Sequence, residues 1–353
     1  MMERISAKLI EKYDRSEMRE KLQNLYMQFE TDFETLHARS RPRKDRIRNV
    51  VIAGLGGSAI GGDLLRTYLS DECPVPVLVN RNYTLPEFVD DTTLVLISSY
   101  SGNTEETLSA YQNAIQKKAK ICCVTSGGEV LSIAKSFGHY TLKVPEGFPP
   151  RTAVGFMFSA MLRIFTEFGF TTDKSDAIKE TSAYLKETSA RYADFKDENN
   201  LALELARKSI GKMPIIYTSD DFTSAVGIRW KGQICENAKT LAYANILPEL
   251  NHNELVGWKL NENLLRRLHV IFLHDRDDHP RTALRMKVTN LIIKKYAKNI
   301  SHVESEGNSL LTRIFSLVLL GDWTSYYLAL MSNIDPTPVK VIDQIKEELA
   351  NFK

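Results

Sequence analysis

Between residues 50 and 145, short unbroken apolar runs alternate with helix-like stretches, and this alternation limits the fold more than any other feature. The runs read VVIAGL, PVPVLVN, TLVLISS, AKICCVTS and YTLKVP, with helical segments near 60–70 and 104–117. A strand that is apolar on both faces needs cover on both faces, so runs of this length joined by helices predict a parallel sheet. Past Pro149-Pro150 the chain reads as helical to about Lys208, and MPIIYTS, LHVIFLHD and NISHVES then supply further strands. The expected class is α/β: doubly wound parallel-sheet halves at 49–150 and 212–353 with helices on both faces, joined by linking helices at 151–211. Ahead of them, Met18, Leu22, Leu25, Phe29, Phe33 and Leu36 recur at helical spacing and predict one long amphipathic helix in an N-terminal extension, 1–48. Asp14 with Glu17 is placed to cap its start.

Composition narrows the partners. At 353 residues the chain has room for two domains, and 43% hydrophobic with 25% charged residues is the balance of a globular protein. A net charge of +2 gives no strong field for nucleic acid or an acidic membrane surface, so neither is expected as a partner. The basic stretch from Arg39 to Arg48 is short and contains Asp45; it reads as a solvated linker, with a phosphate- or nucleic-acid-binding arm as the alternative. The first eighteen residues contain no apolar core of signal type, which leads us to expect a cytoplasmic protein. The most apolar helix candidate, Ala153 to Phe168, is interrupted by Arg163 and Glu167 and is too short to span a bilayer. Cys73, Cys122, Cys123 and Cys235 lack metal-ligand spacing, so no metal site is expected.

The first loop of interest, GLGGSAIGGD, fits the relaxed G-x-G-x-x-[G/A] spacing of dinucleotide binders through Gly54, Gly56 and Ala59. Such a fold needs an acid after the second strand, but PVPVLVN ends in Asn80 and Arg81; the arginine leaves a 2′-phosphate open. The next strand runs into SSYSGNTEET, where Ser99, Ser101, Asn103 and Thr104 lie between strand and helix. Hydroxyls beside the free amides of a helix start are what a phosphate monoester needs, although an ordinary capped helix uses the same residues. Glu105 and Glu106 in the first turn repel phosphate, which leaves the binding to hydroxyls and amides. Two such loops at the carboxyl edge of one parallel sheet favour a small phosphorylated molecule.

GLGGSAIGGD and SSYSGNTEET together resemble the sugar isomerase (SIS) domain family. More narrowly, FPPRTAVG, RWKGQICENAK, PELNHNELVGW and DPTPVKVIDQIKEEL resemble the bifunctional phosphoglucose/phosphomannose isomerases, which carry two SIS domains. The resemblance runs from about Val50 onward and turns the opening loop into a phosphosugar loop. It implies two SIS-type subdomains and interconversion of glucose 6-phosphate, and of mannose 6-phosphate, with fructose 6-phosphate. Another SIS-domain phosphosugar isomerase, or a non-catalytic phosphosugar sensor, remains the alternative. A sensor usually carries a compact DNA-binding helical unit, which a single long N-terminal helix does not provide.

The reaction needs a held phosphate, an opened ring, a base that moves a proton between C1 and C2, and a group that stabilises the enediolate. Glu236 lies in a helix expected to be largely buried, where a carboxylate needs a role or a partner such as Lys239 or Arg229; the resemblance makes it the base. His252, flanked by two asparagines, reads as a solvated loop residue; the resemblance makes it the ring-opening group, reaching into the partner's site of a homodimer. Lys346 reads as a surface lysine paired with Asp343 or Glu347, and the resemblance places it in the site, with Lys340 as a competitor. Arg151, after Pro149-Pro150, either caps neighbouring carbonyls or stabilises the enediolate. Ser58, Ser99, Ser101 and Thr104 are the expected phosphate ligands, with Gly56 and Gly57 allowing close backbone approach. Thr337 is a candidate for setting the room near C2. His37, His139, His269, His274, His279 and His302 match no role, and the charged segment Asp275 to Arg281 reads as a surface loop. Base, acid and arginine cover every step, so no cofactor is expected.

Overall fold

A computed structural model describes residues 5–351. The first sheet contains β1 (Glu34–Leu36), β2 (Asn49–Ala53), β3 (Val77–Asn80), β4 (Thr93–Ser98), β5 (Lys120–Thr125) and β6 (Tyr140–Lys143), in the order β1-β6-β5-β4-β2-β3. The second contains β7 (Met213–Ser219), β8 (Tyr243–Leu247), β9 (Leu268–His274) and β10 (Asn299–Glu304), in the order β10-β9-β7-β8 and wholly parallel. All five apolar runs of the first half became strands, and β4 is buried along its whole length, as a sheet covered on both faces requires.

In both sheets the chain leaves a central strand to one side and returns on the other. Strand order therefore reverses between β2 and β4 in the first sheet, and between β7 and β9 in the second. Open α/β sheets bind ligands at the carboxyl end of such a reversal.

The N-terminal segment differs from expectation. It forms three short helices, Ala7–Tyr13, Met18–Gln23 and Met27–Glu30, followed by β1, which pairs antiparallel with β6. Asp14 does cap the second helix: its carboxylate accepts from the amides of Met18 at 2.6 Å and Arg19 at 2.9 Å. Tertiary contacts decide the breaks. The Phe29 ring packs between Phe158 and Phe315, while Gln28 donates to the Thr152 carbonyl at 2.7 Å and accepts from the Phe156 amide at 3.1 Å. These helices are part of the main core and not a separate binding unit.

One apolar core runs from Ile52 and Leu96 under the first sheet, through Phe158, Trp230 and Phe315, to Ile216 and Ile271 under the second. At its centre is the helix Leu310–Met331, longer and more apolar than the stretch the sequence pointed to. It is the one described helix long and apolar enough to cross a membrane, and 94% of its apolar window is buried inside the protein. Trp230 donates its indole N–H to the Leu317 carbonyl at 2.8 Å, and the indole lies directly over Gly321. A Cβ at 321 would sit 2.3 Å from Trp230 Nε1, on a ring with no exposed surface into which it could move. Gly321→Ala is expected to cost about 1–3 kcal/mol through overpacking. A thermal melt followed by tryptophan fluorescence checks this, and an unchanged Tm would refute the packing described.

Candidate active site

The two glycine-serine loops meet at the β2/β4 reversal. Residues 54–57 leave β2 and enter the helix Gly56–Tyr68; residues 99–104 leave β4 and enter Glu105–Gln116. Ser58 ties them together: its hydroxyl oxygen accepts from the Tyr100 amide at 3.0 Å, and its carbonyl accepts from Ser98 Oγ at 3.3 Å. Ser99 Oγ accepts from the Gly102 amide and donates to Thr104 Oγ1 at 3.2 Å. Ser101, exposed at the tip, accepts from the Asn103 amide at 3.3 Å. The hydroxyl hydrogens of Ser58, Ser101 and Thr104 thus remain to be donated, beside the first-turn amides of two helices. A phosphate monoester, with only acceptor oxygens, complements that set.

Arg81, the feature that had kept a dinucleotide phosphate open, forms an ion pair with Asp63 on the helix after the first loop. It is therefore engaged by the protein itself.

Gly57 links the phosphate loops to the Pro150–Thr152 turn. A Cβ there would lie 2.6 Å from the Pro150 carbonyl oxygen, so the helix start reaches this turn only without a side chain. The turn presents Arg151, which is 5% exposed. Its Nε donates to Asn237 Oδ1 at 2.7 Å, and one terminal nitrogen donates to the carbonyls of Pro336 and Thr337, both at 2.8 Å. The other lies 3.6 Å from Glu236 Oε2. Neither Lys239 nor Arg229, the partners spacing suggested, pairs with that carboxylate: Arg229 pairs with Asp322, and Lys239 donates to the Glu236 backbone carbonyl. The Glu236 side chain is 34% exposed, so this face of the helix is open to solvent rather than largely buried.

Lys239 is a feature that sequence reasoning missed except as an ion-pair partner. It closes the helix Ser224–Ala238 in the left-handed region, at φ +53°, and its ammonium lies among the carbonyls of Glu236, Asn237, Asp335 and Pro336. Burial of the ammonium, with the Arg151 charge second, pulls its pKa down to about 8. Arg151 and Lys239 together hold the 335–337 segment against the end of the helix that carries Glu236.

Thr337 lies on that segment, and its hydroxyl is buried without a hydrogen-bond partner. Lys346 and its competitor Lys340 project from the exposed terminal helix Lys340–Asn351. His252 is exposed at the end of the turn Glu249–His252 after β8, a turn that Leu250 anchors in the core. The single chain brings together the phosphate loops, Arg151, Glu236 and Thr337, and among the described residues no hydrogen bond or ion pair joins His252 or Lys346 to them. Cys122 and Cys123 are fully buried in β5, where burial pushes the thiol of Cys123 up to about 12.

The corresponding reversal in the second sheet is occupied by protein. Asp275 and Asp278 are buried rather than lying in a surface loop. Asp278 accepts from the Ser219 hydroxyl and, at 2.9 Å, from the Asp275 amide; Asp275 accepts from Arg313 Nε at 2.9 Å and Ser305 Oγ at 2.6 Å. Carboxylates thus fill the place where the first sheet offers hydroxyls and amides.

Two mainly parallel sheets with helices on both faces, each with a strand reversal, make an SIS-type fold, and the hydroxyls and helix amides at the first reversal complement a phosphate. Solved structures agree on the fold. The C-terminal domain of glucosamine-fructose-6-phosphate aminotransferase from Francisella tularensis superposes with a TM-score of 0.67 at 16% identity, over 92% of this chain and 96% of that one. The family model described as the bacterial phospho-glucose isomerase C-terminal SIS domain matches residues 198–349. The bifunctional phosphoglucose/phosphomannose isomerase of Caldicellulosiruptor bescii is 47% identical over 88% of this chain and 92% of its own length. That of Aquifex aeolicus is 40% identical over 86% and 90%. The chain belongs to the bifunctional phosphoglucose/phosphomannose isomerase family.

Burial is the main cause that raises the Asp278 carboxyl from 3.8 to about 6. Between those values the folded state holds more protons than the unfolded one, so stability falls as pH rises from about 4 to 6. Asp278→Asn removes that loss, on the order of 1 kcal/mol after solvent screening. Its Tm is expected to exceed wild type by about 2 °C at pH 7.5, with the gap closing toward pH 4. A constant gap across that range in calorimetry would refute the buried carboxyl.

Proposed function

We propose that the chain interconverts fructose 6-phosphate with glucose 6-phosphate and mannose 6-phosphate through a cis-enediolate. The observation that carries this reading is the approach of Arg151 to the Glu236 carboxylate, 3.6 Å apart, beside loops suited to a phosphate. Ser58, Ser101 and Thr104, with the amides at Gly56 and Gly57, hold the sugar phosphate, while Ser99, whose hydroxyl donates to Thr104 Oγ1, positions that threonine. His252 of the partner subunit, assisted by Lys346, moves the proton that opens the ring. Glu236 then takes the proton from C2 of the aldose, the C1 carbonyl electrons move onto oxygen, and Arg151 faces the charge that develops. The proton on O2 passes to O1, and the protonated Glu236 returns its proton to C1 as the C2 carbonyl forms, which gives the ketose; every step is reversible.

Both aldose epimers lose the C2 stereocentre in the enediolate. Accepting both depends on room near C2, where we place the Thr337 hydroxyl. The solvent-open Glu236 and the exposed His252 support a homodimer, since a base works best with water excluded. We assign this activity to the cytoplasm.

A coupled assay with chelator present, following fructose 6-phosphate to each aldose phosphate separately, tests the proposal on wild type and Glu236→Gln. Both products are expected from wild type. The variant is expected to lose about 10²-fold or more in kcat with little change in KM, because the phosphate contacts remain. A folded wild type that binds the sugar phosphate but turns over neither would favour the sensor reading.

A further inference from the structure

Among the described residues, two apolar surfaces lie without cover. The terminal helix Lys340–Asn351 carries Val341, Ile345 and Leu349 in one stripe, 72%, 55% and 44% exposed, and every side chain from 341 to 349 is exposed. At about 1.5 Å per residue this is a free helix of roughly 18 Å. The second surface is a groove of about 530 Å³ between the turn that carries His252 and the helix Pro280–Ile293. Leu255, Leu284 and Val288 line it. Arg285 and Thr289 bond the Asn251 side chain at 3.3 and 2.8 Å, which fixes the His252 turn to that helix.

The rims carry opposite charge. Arg281 and Arg285 are one turn apart and border the Leu284–Val288 stripe on one side. Glu348, one turn from Ile345 and from Gln344, borders the stripe of the terminal helix. Helix periodicity leaves Lys346 outside that stripe.

We propose that the terminal helix of one copy docks in this groove of a second copy, with Glu348 against Arg281 and Arg285. The inference rests on the homodimer of the proposed function and assigns its contact surface. Helix and groove belong to the same chain, so two-fold pairing satisfies both surfaces twice, which is the economy of an isologous interface. The helix root is fixed beside Glu236, because Arg151 holds the carbonyls of Pro336 and Thr337. A helix anchored there and lying along the partner's His252 turn carries that imidazole toward Glu236. The contact therefore assembles the site as well as the dimer.

Bismaleimide cross-linking of full-length Ile345→Cys/Val288→Cys provides the test, with light scattering for molar mass. Both positions are solvent-exposed, which spares the fold. A band of doubled mass is expected from the double variant and from neither single one. Arg285→Glu is expected to weaken dimerisation at least tenfold, and Glu348→Arg added to it to restore it. A dimer that does not cross-link, a wild-type monomer, or a charge swap without rescue would each overturn the docking. Wild-type turnover separates the two readings: isomerisation without cross-linking refutes the docking alone, and cross-linking without isomerisation refutes the catalytic assignment alone.

Discussion

The buried ion pair between Arg229 and Asp322, 2.6 Å apart, organises the centre of the molecule. Two charges taken out of water are costly unless every polar atom around them is satisfied. Here Asp322 also accepts from Gln233 at 2.9 Å, and Arg229 donates to the Arg151 carbonyl at 3.0 Å. One turn on, Asn237 donates to Ser325 Oγ and accepts from Arg151 Nε. Residues 229, 233 and 237 lie one helical turn apart, so a single polar stripe joins the central helix to the arginine turn. The Arg151 main chain and side chain are held by the same helix that carries Glu236. The guanidinium–carboxylate geometry is thus set by the packing of two buried helices and not by a mobile loop.

The two sheets share a topology but differ in what occupies their reversal points. In the first, serine and threonine hydroxyls face the loops and leave hydrogens to donate. In the second, Ser219 and Ser305 donate to Asp278 and Asp275, and Arg313 balances the charge. A site that already holds two carboxylates repels a phosphate, so the second sheet acts as a platform. It supplies the helix bearing Glu236, the turn bearing His252 and the segment that anchors the terminal helix.

The strands of the first half were legible because each is an unbroken apolar run, buried on both faces. β8 was not, since Tyr243 is exposed and Ala244, Asn245 and Ile246 are only partly buried, which leaves no alternation to read. β1 is three residues long and exists only through its pairing with β6. The break of the N-terminal helix was hidden for a related reason: its apolar spacing is helical, but Gln28 and Phe29 are drawn into different neighbours. Within the site, Ser58, Ser99 and Arg151 were readable from loop chemistry. The partner of Glu236 was not, because Arg151 lies 85 residues away and no local spacing reports it. The polar stripe 229–233–237 and the lone Asp322 in an apolar helix were visible signals of a buried network. Only the fold shows that they meet.

A carboxylate base needs a dry, positioned setting, yet a sugar phosphate must also enter and leave. Placing the proposed base on a helix and the arginine on a turn tied to that helix meets the first need only in part, because Glu236 stays 34% exposed in one chain. The other proposed groups, His252 on the turn after β8 and Lys346 on the terminal helix, are exposed in one chain, so a second surface is what would exclude water from them. In the proposed reaction, ring opening takes a proton from the O1 hydroxyl of the aldose and gives one to the ring oxygen O5, whereas Glu236 moves the proton between C1 and C2. Transfers at different atoms call for different groups, and in the proposed dimer His252 of the partner subunit serves the first while Glu236 serves the second.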